Sequence, residues 1–224
     1  MSIKIIYKNQ LPHIAPVGAI FFVTFRLGDS LPVQLVKEMR IKMDASIKKL
    51  EQKKPYRYKL MIQKQRKIFF KNYDHQLDVF PYGECHLKDP IIANIVETKL
   101  HELDRKIYDL ICYCIMPNHV HVLFDTSLQL TDEHNRILNQ VPKNYIQLDQ
   151  IMKNIKGSIA VKANRILNRN GKFWRKDSFD HYVRNEQELL NIINYILQNQ
   201  VKAKLVEHWK DYPFTYLKKG YFGE

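Results

Sequence analysis

Residues 107–124 read IYDLICYCIMPNHVHVLF, and this stretch decides the fold. Ile107 to Met116 is rich in branched, aromatic and small apolar residues, which predicts a strand. Pro117-Asn118 breaks it, since both residues favour turns over a continuing ladder. His119 to Phe124 then alternates, predicting a second strand. Side chains two apart share a face, so His119 and His121 point one way and Val120, Val122 and Phe124 the other, toward a core.

Working outward, Val17 to Leu27 (VGAIFFVTFRL) reads as a buried strand closed by Gly28-Asp29. Pro32 to about Lys53 reads as a helix, with Val36, Met39, Met43, Ile47 and Leu50 at helical spacing and Pro55 as its stop. Tyr56 to Tyr73 is a weaker helix, followed by a loop through Pro81 and Gly83. Asp89-Pro90 opens a helix carrying Ile91, Ile92, Ile95, Val96, Leu100 and Leu103. Thr126 to Tyr145 reads as loop and Gln147 to Asn168 as a basic helix. Asn170-Gly171 marks a turn, and Phe179 to Val183 a short extended piece. Asn185 to Asn199 reads as a helix, with Asn185 and Glu188 in capping-box form. The expected architecture is one α/β (α+β) domain over 1–224, interrupted by a basic helical insertion at about 30–82.

The chain has 224 residues, and its 36 Lys+Arg against 23 Asp+Glu give a formal charge of +13. No apolar run approaches the ~18–20 residues of a membrane span. The start, Met1-Ser2-Ile3-Lys4, leads into polar residues instead of a signal-peptide core, and the three cysteines make no disulfide framework. Secreted, membrane and fibrous classes are therefore excluded, and a soluble cytoplasmic protein with a polyanionic partner is expected. The charge is concentrated. Residues 37–71 hold 13 Lys+Arg against three acids, a balance of 13 − 3 = +10. Residues 151–176 hold Lys153, Lys156, Lys162, Arg165, Arg169, Lys172, Arg175 and Lys176 with no acid. Such blocks suit a surface that follows a phosphate backbone; the plain alternative is a pair of solvated helix faces.

Three groups of residues bear on chemistry. His119 and His121 on one strand face make a two-imidazole cation site, or else an ordinary pair of surface histidines. In the last helix Leu189, Leu190, Ile192, Ile193, Ile196 and Leu197 form the apolar arc, and Tyr195 falls opposite with Glu188, Asn191 and Asn199. Tyr195 and Asn199 lie one turn apart, so a phenol and an amide oxygen project together as a candidate nucleophile and third metal ligand. Cys112, Cys114 and Cys85-His86 form a rival zinc reading, weakened by alternation within a strand-like run. No phosphate-cradling glycine loop and no G-x-S-x-G is present.

Met116-Pro117-Asn118-His119-Val120-His121-Val122-Leu123, followed by Lys172-Phe173-Trp174, Phe179-Asp180-His181 and Tyr195-Ile196 with Asn199, resembles the single-tyrosine transposases of the HUH class. Within that class the chain is most similar to the REP-associated tyrosine transposases. Their Y-I-x-x-N-P-x-K-A-G-L-V signature reads here from Tyr195 to Val206, with Gln200 for the proline and Lys204 for the glycine. Leu11-Pro12-His13-Ile14, Phe22 to Leu27 and Leu31-Pro32 also look like that group, while 37–82 matches only loosely. The resemblance implies a ferredoxin-like antiparallel sheet with helices on it. It also implies metal-assisted cleavage and rejoining of single-stranded DNA near REP-like hairpins, through a 5′-phosphotyrosine. Carried over by position, Tyr195 is the nucleophile, and His119, His121 and Asn199 hold Mg²⁺ or Mn²⁺. The Lys/Arg of 151–176 then hold the strand, and Trp174 is either a core residue or a stacking platform. Losing the proline removes a helix stop, so the last helix is expected to run on. Monomer and homodimer both remain open. The alternatives are a non-catalytic DNA- or RNA-binding descendant of such an enzyme, and a zinc-stabilised RNA-binding module.

Overall fold

The computed structural model describes residues 4–8, 12–79, 82–132, 134 and 136–221; Leu11 and Pro81 lie outside these. The chain divides into two compact units, 1–28 with 86–224, and 29–85. The second unit holds no strand among its described residues. It is a helical hairpin of α1 (Val33–Lys53) and α2 (Tyr58–Val79), with Leu31, Val36 and Leu77 buried together. α2 runs further than the sequence pattern suggests, past Tyr73 to Val79. Lys54 closes α1 in a left-handed conformation, its N–H donating to Leu50 O, just before Pro55.

The first unit opens with an antiparallel pair, β1 (Lys4–Lys8) and β2 (Pro12–Pro16), that the sequence reading did not anticipate. Its main sheet is five-stranded and antiparallel, in the order β6-β3-β5-β4-β7. The strands are β3 (Ile20–Arg26), β4 (Asp109–Ile115), β5 (His119–Asp125), β6 (Phe179–Tyr182) and β7 (Thr215–Leu217). α3 (Pro90–Leu103) lies between β3 and β4, and α4 (Leu148–Ile166) between β5 and β6. This β-α-β-β-α-β path with β6-β3-β5-β4 as its strand order is the ferredoxin-like topology, with the insertion placed between β3 and α3. β7 adds one strand beside β4.

Local chemistry sets these helices. Asp89 accepts the Ile91 N–H at 2.9 Å with Pro90 in the first turn, and Ile92, Val96, Leu100 and Leu103 recur on the buried side. Gln147 and Gln150 cap α4 reciprocally, and Leu148, Ile151, Ile155 and Ile159 face inward. Both helices cover one face of the sheet, against Phe21, Val23, Phe25, Val120, Val122 and Phe124. A bulge between Leu110 and Cys112 resets β4, so that Leu110 opposes Phe124 while Cys112 opposes Leu123 and Cys114 opposes His121. The other face therefore carries Phe22, Thr24, Arg26, His119, His121, Cys112 and Cys114. No helix among the described residues is long and apolar enough to cross a membrane.

Candidate active site

The His-bearing face is built by register. β3 runs antiparallel to β5, and Thr24 stands opposite His121 and Arg26 opposite His119. Opposed residues share a face, so each imidazole gains a neighbour from a strand nearly a hundred residues away in sequence. Thr24 Oγ1 lies 2.7 Å from His121 Nδ1, and Asn118 Oδ1 accepts from His119 Nδ1 at 2.7 Å. Each ring thus engages a polar side chain through Nδ1 and turns Nε2 toward the other ring. The two Nε2 atoms are 3.0 Å apart.

That spacing tests the cation reading. A 3.0 Å contact is a hydrogen-bond distance, and it also lets both nitrogens reach one cation, since two ligands ~2.1 Å from an ion and at right angles lie ~3.0 Å apart. An Nδ1 that donates to an outer partner, as His119 does to Asn118, presents the Nε2 lone pair, as in established metal–histidine sites. Both rings are fully buried. Burial, with the Arg26 charge adding to it, pushes His119 down to about 3. Burial also holds His121 well below the usual imidazole range. Both imidazoles are then neutral at physiological pH, which is the form that ligates metal.

α5 (Glu186–Leu197) packs on this face, with Ile193, Ile196 and Leu197 buried. Asn185 accepts the Glu188 N–H at 2.9 Å, as the sequence suggests. The return half of the cap differs: Glu188 accepts from the Arg184 backbone and guanidinium and pairs with His181. Half-buried Tyr195 sets its ring edge-on to His121, with centroids 5.5 Å apart, and edge-on to Phe22 at 5.9 Å. Phe22 in turn stacks on His121 at 5.7 Å. Lys202 Nζ lies 5.3 Å from the centre of the Tyr195 ring. The tyrosine and the histidine pair therefore meet within one chain.

Asn199 begins α6 (Asn199–Lys202), one turn beyond Tyr195. Asn199 is 1% exposed, and among the described residues its Nδ2 has no hydrogen-bond partner. Burying an unsatisfied amide costs about 1–3 kcal/mol, so such a group calls for a functional account. The expected run-on of the last helix takes a particular form. The helix breaks at Gln198, resumes for a single turn, and ends where Lys204 adopts φ 57°. A left-handed conformation costs a residue with a Cβ about 1–2 kcal/mol, which explains the glycine of the resembled signature at this position. Lys204→Gly is expected to raise stability by about 0.5–1 kcal/mol after its own unfolded-state entropy is subtracted. Urea denaturation checks this, and an unchanged or lower midpoint refutes it.

The eight cations of 151–176 divide. Lys153, Lys162, Arg165, Lys172 and Lys176 are exposed. Lys156 is turned inward: Nζ donates to Arg175 O at 2.7 Å, Lys176 O at 2.8 Å and Ser178 Oγ at 3.1 Å. Burial lowers it to about 8. Arg169 Nη1 lies 2.6 Å from His86 Nε2. Trp174 is a core residue, edge-on to Phe25 at 4.9 Å and to Phe173 at 4.8 Å. Between α4 and the 171–180 segment runs a groove of about 510 Å³, whose lining includes Met152, Lys153, Gly157, Lys172 and Trp174. It lies on the helical side of the sheet, away from the histidine pair.

Cys112 and Cys114 are buried and form no disulfide among the described residues, and burial pushes the Cys112 thiol up. The sequence reading missed Thr24 and Phe22 as site residues. Period-2 alternation along 20–26 places Phe22, Thr24 and Arg26 on one face, but nothing local names β5 as their neighbour.

No family model matches the chain. A curated Haemophilus influenzae protein named "Putative REP-associated tyrosine transposase" is 26% identical over 108 residues, 48% of this chain and 58% of that protein. The match thus spans little more than half of the relative's length. A solved structure described as "Structure of the REP associates tyrosine transposase bound to a REP hairpin" aligns over 93% of this chain and 82% of its own, with 11% identity and a TM-score of 0.47. By its motifs and by the curated relative alike, the chain is similar to the REP-associated tyrosine transposases.

Proposed function

We propose that the chain is a metal-assisted single-strand DNA endonuclease and strand transferase that cuts and rejoins DNA near hairpins. Tyr195 is the nucleophile, and His119, His121 and Asn199 are the ligands of Mg²⁺ or Mn²⁺. The observation that carries this reading is the Tyr195 ring set 5.5 Å from the ring of His121, whose Nε2 is paired with that of His119. A tyrosine at the end of an amphipathic helix needs no such neighbour for packing.

The chemistry follows from the residues. A free phenol has a pKa of ~10 and attacks poorly at neutral pH. A bound divalent cation supplies polarisation of the scissile phosphate and neutralises the charge that builds there. Tyr195 Oη forms a bond to phosphorus as the P–O3′ bond breaks. The phenolic proton is lost to solvent and the departing 3′ oxygen takes one up, leaving a 5′-phosphotyrosine and a free 3′-OH. Another 3′-OH reverses the step, so strands are joined without a nucleotide cofactor. In this reading Lys202, with Nζ 5.3 Å from the centre of the Tyr195 ring, meets the incoming phosphate. Phe22 holds both rings in position from the side.

The exposed cations and the α4 groove suit the flanking strand. β6 is the sheet edge between groove and histidine face, so a strand leaving the groove rounds that edge to reach Tyr195. Gly157 tests this, because a Cβ there meets nothing within 4 Å. Gly157→Phe fills the groove, and single-stranded oligonucleotide affinity is expected to fall about tenfold, within the range of one lost base or phosphate contact. Fluorescence anisotropy without metal measures it; unchanged affinity removes the groove from the DNA path. The decisive test of the function is covalent capture. A labelled single-stranded hairpin oligonucleotide with Mn²⁺ must give a denaturation-resistant adduct, and binding without an adduct selects the non-catalytic alternative.

A further inference from the structure

Gln200 departs from the resembled signature, yet it is fully buried and bonded on three sides. Cys114 Sγ donates to Gln200 Oε1 at 3.2 Å, and Gln200 Nε2 donates to Trp209 O at 3.4 Å. Its backbone O accepts from Leu205 N at 3.0 Å. One side chain thus joins α6, β4 and the segment before β7. Its place in the path to the site matters. Asn199 precedes it directly, and Cys114 stands opposite His121 in the β4–β5 register. The run Asn199–Gln200–Cys114–His121 is the short mechanical link between the helix turn and the imidazole pair.

We infer that Gln200 is a positioning residue: its amide clamps the α5–α6 joint to β4 and so fixes Asn199 and Tyr195 against His119 and His121. This rests on the ligand reading above. A proline at 200 has no amide with which to make these bonds, so this chain holds the joint by a side-chain clamp of its own. Thr215 Oγ1, 3.7 Å from Cys114 Sγ, steadies the other end. Methionine is the informative replacement, because it keeps length and apolar volume and loses both amide bonds.

The test is Mn²⁺ binding by the full chain, read by electron paramagnetic resonance of the free ion, together with hydrogen exchange of the metal-free protein. Gln200→Met is expected to weaken Mn²⁺ binding about tenfold, as loss of an outer partner does at metal sites. Exchange at 199–205 is expected to rise. Cys114→Ser, which keeps a donor, retains parental affinity, whereas Cys114→Ala lowers it. The combination of Gln200→Met with Cys114→Ala costs no more than the worse single change. A purely structural role lowers the melting temperature but leaves Mn²⁺ affinity of the folded protein unchanged. Parental affinity in folded Gln200→Met therefore overturns the inference. Should that variant not fold, equal affinities in Cys114→Ala and Cys114→Ser overturn it instead. His121→Ala separates the underlying reading: Mn²⁺ binding indifferent to that change refutes the metal site itself, and this inference with it.

Discussion

Tyr195→Phe is expected to abolish the covalent DNA adduct and to slow strand cleavage by at least ~10³-fold, the scale seen when a nucleophile is removed. The change deletes one oxygen. The ring contacts with His121 and Phe22 involve the aromatic face and edge, which phenylalanine retains. Metal-free DNA affinity and folded-state stability, measured alongside, separate lost chemistry from lost folding. Gel electrophoresis under denaturing conditions reads the adduct, and thermal melting controls for the fold. An adduct that persists in Tyr195→Phe assigns the nucleophile elsewhere and defeats the mechanism.

His121→Ala is expected to lower Mn²⁺ affinity by at least ~100-fold, with cleavage falling in step at fixed metal concentration. Removing a ligand is more damaging than removing an outer partner, which by itself costs 10–100-fold at comparable sites. A graded series follows from the hydrogen bonds. Thr24→Val leaves the ring in place and removes its Nδ1 partner at 2.7 Å, so an intermediate loss is expected. Asn199→Ala removes the proposed oxygen ligand and is expected to weaken Mn²⁺ without disturbing the imidazole pair. Titration with Mn²⁺ ranks the four proteins. Equal affinity in parent and His121→Ala removes the metal from the site, whatever happens to activity.

The residues of these predictions were not equally legible in the chain. His119, His121, Tyr195 and Asn199 stand out because a strand repeats every two residues and a helix about every 3.6. Both periods are local, and so are the caps at Asp89 and Asn185. The two helices α1 and α2 were legible for a similar reason, since each carries its own apolar spacing. The family resemblance then supplied roles that periodicity does not contain. Thr24 and Phe22 were hidden, although both lie in a quoted stretch, because their relevance depends on β3 pairing with β5. Lys156 misled in the opposite direction. By composition it belongs to a basic face, but its ammonium is drawn inward by two carbonyls and a hydroxyl of the 175–178 segment.

By itself, then, the amino-acid order determined which residues share a face: histidines on one side of a strand, valines on the other, a tyrosine off the apolar arc of a helix. These are consequences of backbone geometry within a few residues. Only the tertiary structure decided which faces meet. The β3–β5 register, the one-residue bulge in β4 and the packing of α5 across the sheet set Thr24, Tyr195 and Gln200 around the imidazole pair. Such choices depend on contacts between segments far apart in the chain. There, pairing of buried backbone groups and close packing select one arrangement, and no local period records it.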